Sequence, residues 1–183
     1  MRFAYGTREL GRFLFDSQTG EPISILVRSN QVHRELSLVH EIGHVLDLAA
    51  LGAGIQFGSR CNPILEDWGR AVTASSAFRL LQDVGNRRRV KIVDASGSAH
   101  DASITQRERE LIDMWLQPEE LWARSYAQFV AAHGSLPALI TSLDAFRARV
   151  PGKVYYPLQW DEDDFAAVDI TIDALFRTLG WRT

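Results

Sequence analysis

Two histidines and a glutamate lie within one five-residue stretch, His40-Glu41-Ile42-Gly43-His44. Residues four apart in an α-helix lie one turn apart on the same face, so His40 and His44 can direct their ring nitrogens at one metal ion. Glu41 follows His40 directly, and its carboxylate can reach a water molecule bound to that ion. Two imidazoles beside a carboxylate are the arrangement that a hydrolytic zinc site requires.

The helix that carries this motif is predicted to be interior, because apolar residues surround the motif on almost every side. They are Val39, Ile42, Val45, Leu46 and Leu48. Buried histidines need polar partners, and a metal ion supplies them. The alternative interpretation is an ordinary pair of core histidines without a metal.

A third ligand must come from elsewhere in the chain, because a catalytic zinc ion normally has three protein ligands and a water molecule. The metzincin pattern is excluded, since Asp47 and Ala50 stand where it has a glycine and its third histidine. Glu120 is the best candidate, because the apolar segment PEELWARSYAQFV predicts a buried helix in which a carboxylate needs a partner. Glu119 could be the ligand instead. Both could also be first-turn acids behind Pro118 that stabilise a helix N-terminus.

These two segments together resemble gluzincin metallopeptidases, in which a glutamate on a second helix completes the zinc site. HEIGHVLD and ELWARSYAQFV are similar to segments of the anthrax lethal factor zincin domain, and are closer to the metallopeptidase domains of phage and mobile-element polyvalent proteins. Those domains share a C-terminal amphipathic helix after a Tyr-Pro stretch, here YYPLQWDEDDF. The resemblance implies one Zn²⁺ held by His40, His44 and Glu120. It also implies that the strand ISILVR pairs with an extended peptide.

A supporting role for Asp47 is suggested by its place on the same helix face as the two histidines. Some gluzincins orient a histidine with an aspartate four residues after the glutamate ligand, but this chain has Arg124 there. Asp47 could orient a histidine instead, or it could be an acid on the helix surface.

A peptidase also needs a hydrogen-bond donor for the oxyanion that forms during hydrolysis. Tyr155 and Tyr156 are the favoured candidates, because they lie in a predicted loop near a proline. His100 and His133 are candidates by residue type only. Any of the four could equally be a residue without a catalytic role.

Three functions are compatible with the motif. The first is a zinc-dependent metallopeptidase in which Glu41 is the general base and a protein or peptide is the substrate. The second is a zincin-like module that binds a partner without catalysis. The third is an antirepressor-type peptidase whose third ligand is Glu66, in PILEDWGRAV.

Composition limits the partners. A net charge of −3 and a pI near 5.9 give no sign of binding to nucleic acid or to an anionic membrane. Cys61 is the only cysteine, so no internal disulfide is possible. The N-terminal residues lack the apolar core of a signal peptide, and we expect a cytoplasmic protein unless another route delivers it.

The pattern of hydrophobic and helix-capping residues predicts one domain over residues 1–183, of the α+β class and mostly α. The resemblance implies a zincin-like fold with a small sheet packed on the active-site helix, and the residue pattern predicts about six helices and two or three short strands. The predicted strands are 23–28 and a second one around Val90 and Ile92. The predicted helices span 31–51, capped by Asn30, then 64–84, 103–117, 118–133, 136–150 and 161–181, with 52–63 as a loop.

Overall fold

The computed structural model describes residues 11–28 and 33–182. Within these ranges it contains eight α-helices and two antiparallel hairpins. The strands are β1 (Gly11–Phe15), β2 (Pro22–Val27), β3 (Arg89–Val93) and β4 (Ala99–Ser103). The helices are α1 (Arg34–Ala49), α2 (Gly58–Cys61), α3 (Glu66–Ala74), α4 (Ser76–Asn86), α5 (Gln106–Trp115), α6 (Pro118–His133), α7 (Pro137–Arg147) and α8 (Glu162–Thr178). The predicted class, α+β and mostly α, is confirmed.

Helices α1 and α6 pack against each other at the centre of the fold, and the β1–β2 hairpin packs on α1. In this hairpin Phe13 pairs with Ile25 and Gly11 pairs with Val27. The arrangement agrees with the predicted small sheet on the helix that carries the histidines. Strand β2 matches the predicted strand to within one residue, whereas β1 was not predicted.

Several local signals in the sequence mark where helices begin or end. Thr105 and Glu108 form a capping box at the start of α5. Pro118 occupies the first turn of α6, and Gly134 is its C-cap. Asp161 is the residue before α8, although its side chain makes no capping hydrogen bond.

Two predicted elements differ from the structure. The predicted helix over 64–84 is broken at Ser75, whose backbone is extended and whose hydroxyl accepts a hydrogen bond from the N–H of Phe78 to cap α4. The indole of Trp160 also donates to this hydroxyl, so a distant residue stabilises the break. The predicted loop 52–63 contains the short helix α2. The predicted cap Asn30 lies outside the described residues.

Tryptophan side chains link the central helices to the rest of the core. Trp122 of α6 is fully buried and donates its indole N–H to the carbonyl oxygen of Gly43 in α1. Its ring meets that of Trp68 in α3 edge-on. Among the described helices, none is long and apolar enough to cross a membrane.

Candidate metal centre

The two histidines of the motif lie on one face of α1. Their ring centroids are 4.8 Å apart and their ring planes are nearly perpendicular. His44 is buried, with 8% of its surface exposed, and His40 is partly exposed. The spacing of four residues in a continuous helix produces this arrangement, as the sequence predicts.

Glu120, in the first turn of α6, faces both imidazoles. Its Oε2 lies 3.5 Å from Nε2 of His40, and its Oε1 lies 3.6 Å from Nε2 of His44. One ligand atom from each residue can be chosen so that all lie within 4.8 Å of one another. Tetrahedral zinc with bonds of about 2.0–2.1 Å separates neighbouring ligand atoms by about 3.3 Å. The residues therefore fit a zinc ion.

Close packing of α1 and α6 brings these three side chains together. Gly43 lies between the two histidines in the sequence, and a Cβ atom added to it would come within 2.9 Å of the Cα of Ala123. Ala123 lies on α6, three residues after Glu120. A glycine at position 43 lets the backbones of the two helices approach closely enough for Glu120 to reach the histidines.

Glu41 is held against strand β1. The backbone N–H of Phe13 donates a hydrogen bond to its carboxylate. A Cβ atom added to Gly11 would lie 2.8 Å from Oε1 of Glu41, so this carboxylate fills the space that a side chain at position 11 would occupy.

His40, His44 and Glu120 form a triad, within which Glu120 and His44 affect each other's charge. Burial opposes ionisation of Glu120, but the two imidazoles outweigh it and hold the pKa of this carboxyl well below its usual value. Burial opposes a charge on His44, yet the Glu120 carboxylate outweighs this and raises the His44 pKa. Burial also raises the pKa of Glu41, against the effect of both histidines. Glu120 is thus an anion that attracts positive charge to this point.

Asp47 has a different partner from the one suggested by the sequence. It is fully buried, so it is not an acid on the helix surface. Its two carboxylate oxygens accept hydrogen bonds from the backbone N–H and the hydroxyl of Ser59, at 2.7 and 2.5 Å. The buried Nδ1 of His44 has no hydrogen-bond partner among the described residues. Asp47 therefore fixes α2 rather than binding a histidine ring.

The two other proposed third ligands point elsewhere. Oε1 of Glu119 accepts a hydrogen bond from Arg60 at 2.7 Å. Glu66 is exposed and pairs with Arg70 on its own helix, at 2.6 Å. Of the three glutamates, the structure brings only Glu120 to the two histidines within the described part of the chain.

The proposed oxyanion donors have partners away from the triad. The hydroxyl of Tyr156 donates to Glu108 at 2.9 Å, and the ring of Tyr155 lies under the guanidinium of Arg149. His100 pairs with Asp94 in the turn between β3 and β4, and His133 pairs with Asp169. Within the described part of the chain, the partners of these four side chains lie away from the triad. Their catalytic role stays a prediction.

Arg124 supports the backbone that carries Glu120. Its buried guanidinium donates to the carbonyl oxygens of Glu120, Leu158 and Trp115. Burial lowers the pKa of Arg124 to about 10, although the Glu120 carboxylate opposes this change. This arginine therefore joins the first turn of α6 to the end of α5 and to the segment before α8.

Comparison of the chain with protein-family models, with curated proteins and with solved structures finds no match.

Proposed function

We propose that the protein is a zinc-dependent metallopeptidase that hydrolyses peptide bonds. The observation that carries the proposal is the position of Glu120, whose two carboxylate oxygens face the Nε2 atoms of His40 and His44 at 3.5 and 3.6 Å. Two imidazoles and one carboxylate form a ligand set typical of catalytic zinc, which leaves a fourth position open. When bound, zinc supplies Lewis-acid activation of water and of a carbonyl group.

Glu41 performs the proton transfers in this proposal. Its carboxylate accepts a proton from the attacking water and then donates that proton to the nitrogen of the leaving amine. The hydrogen bond from Phe13 and the contact with Gly11 hold this carboxylate in one position beside His40 and His44. In the zinc-free protein burial raises the pKa of Glu41, which makes it a stronger base than an exposed glutamate.

The test compares wild type with Glu41→Gln for bound zinc and for hydrolysis of a mixed peptide library. Glutamine has nearly the same shape and can still accept the N–H of Phe13, so we expect stoichiometric zinc in both proteins. Loss of the general base should reduce the rate by about 10²–10⁴-fold. Glu35→Gln is the matched control, because Glu35 lies on the same helix and pairs with Arg34 at its N-terminal end.

Two results would contradict the proposal. If the folded wild-type protein holds no zinc after dialysis against a zinc solution, the metal site is excluded. Stoichiometric zinc without hydrolysis of any peptide in wild type would instead support a zincin-like binding module that lacks catalysis.

A further inference from the structure

A short segment, Phe57–Arg60, lies between the helix that carries the histidines and the helix that carries Glu120. We call it the bridge segment. It contains the first three residues of α2, which contacts both α1 and α6. Gly58 is buried, and a Cβ atom added to it would lie 2.5 Å from the carbonyl oxygen of Leu51. The segment is therefore packed tightly against the end of α1.

Ser59 attaches the bridge segment to α1. Its backbone N–H and its hydroxyl both bind the carboxylate of Asp47, at 2.7 and 2.5 Å. Asp47 is fully buried and follows His44 by three residues on the same helix. Charge-assisted hydrogen bonds of this kind are shorter and about twice as strong as neutral ones.

Arg60 attaches the bridge segment to α6. Its Nη2 donates to Oε1 of Glu119 at 2.7 Å and to Oε1 of Gln117 at 2.8 Å. Glu119 directly precedes Glu120, and Gln117 is the N-cap residue of α6. The guanidinium therefore holds the turn of α6 from which the Glu120 carboxylate projects.

Phe57 brings the bridge segment to the site itself. Its ring meets that of His44 edge-on, with the centroids 6.1 Å apart. Phe57, Ser59 and Arg60 thus connect the bridge segment to His44, to Asp47 one turn later and to the turn of α6 that carries Glu120.

We infer that the bridge segment is a positioning element that sets the distance between Glu120 and the histidine pair, and through it the affinity for zinc. This inference rests on the proposed metal site. His44 and Glu120 lie on different helices, and a metal site requires its ligands to be held within about 0.5 Å of the productive geometry. Ser59 and Arg60 are positioning residues, because neither is itself a ligand.

A purely stabilising role makes a different prediction. The side chain of Arg60 is 45% exposed and that of Glu119 is 19% exposed, and an ion pair with one solvent-exposed partner contributes about 1 kcal/mol to stability. A change at Arg60 should therefore leave the melting temperature of the zinc-free protein nearly unchanged. Its effect on zinc affinity should be larger, because Arg60 holds the turn that carries Glu120, and a metal site depends on the positions of its ligands to within about 0.5 Å.

The experiment measures the zinc dissociation constant by competition with a chelator, and the melting temperature of the zinc-free protein, in the full chain. Ser59→Ala and Arg60→Ala are the test variants, and Ser59→Thr keeps the hydroxyl. Two matched controls have hydrogen-bonded side chains away from the bridge segment. They are Ser75→Ala, which removes the cap of α4, and Arg70→Ala, which removes ion pairs with Glu66 and Asp67.

We expect Ser59→Ala and Arg60→Ala to weaken zinc binding by up to about tenfold, the lower end of the range for direct partners of metal ligands. Ser59→Thr should restore most of the affinity, and both controls should stay within about twofold of wild type. Unchanged affinity in both test variants, with stoichiometric zinc in wild type, would overturn the inference and leave the proposed function intact. An equal loss in Ser75→Ala and Ser59→Ala would also overturn it, since general stability would explain both. Absence of zinc from wild type would overturn the proposed function and this inference with it.

Discussion

The Cα of Ala123 lies so close to Gly43 that a methyl group on Gly43 would come within 2.9 Å of it. The same methyl group would meet the ring of Tyr126 at 3.2 Å. Neighbours at these distances must move to accept a side chain, and one of them is backbone. The contact between α1 and α6 therefore depends on the absence of a side chain at position 43.

Gly43→Ala should destabilise the protein by about 1–3 kcal/mol, because it overpacks a close helix contact. It should also weaken zinc binding, since α6 carries Glu120. Gly69→Ala is the matched control: Gly69 lies inside α3 with no atom within 4 Å of the added Cβ. Alanine there should stabilise the helix by about 0.5–1 kcal/mol. Denaturant unfolding of both variants checks this, and equal stability of the two would contradict it.

Glu120→Ala should remove the third ligand and weaken zinc binding by more than about 100-fold, beyond the effect typical of outer-shell changes. Glu66→Ala should leave zinc binding unchanged, because Glu66 is exposed and pairs with Arg70. Zinc retained after dialysis, measured for both variants, separates the two proposed ligand sets. Retention in Glu120→Ala together with loss in Glu66→Ala would favour the antirepressor-type site.

The pKa of His44 should lie above its ordinary value of 6.5 in the zinc-free protein, because the attraction of Glu120 outweighs burial. Protons and zinc compete for the imidazole. Below that pKa, the apparent zinc affinity should therefore fall about tenfold per pH unit for each proton that zinc binding releases. NMR titration of the His44 ring checks the first statement. In Glu120→Gln the midpoint should move to lower pH, and an unmoved midpoint would show that Glu120 is not the cause.

Asp47 should make the zinc-free protein less stable as the pH rises from about 4 to about 6. Burial raises the pKa of this carboxyl from 3.8 to about 6 in the folded protein, although hydrogen bonds from Ser59 oppose the change. The folded state then binds more protons than the unfolded state between these values, so the free energy of unfolding falls as the pH rises. Over this pH range the free energy of unfolding should fall by at most ~3 kcal/mol.

Asp47→Asn should remove this pH dependence, because asparagine does not titrate. The check is denaturant unfolding of the zinc-free proteins at several pH values, with Asp144→Asn as the exposed control. Parallel curves for wild type and Asp47→Asn would contradict the assignment.

The features that could be predicted from the sequence depend on residues close together in the chain. The four-residue spacing of His40 and His44, the capping box at Thr105 and the proline that begins α6 each act within about one helical turn. Such signals do not depend on what packs around them. The break at Ser75 was missed because its stability also comes from Trp160, which is far away in the sequence.

The choice of Glu120 over its neighbour Glu119 required the tertiary structure. Adjacent helical residues point about 100° apart around the helix axis, and only the packing of α6 on α1 decides which of them faces the histidines. The contact of Glu41 with Gly11 joins α1 to β1, two elements that are separated in the sequence. By itself the sequence predicted that His40 and His44 share one helix face, with Glu41 beside them. The tertiary structure decided the third partner and the supports around it, because those contacts join residues that are distant along the chain.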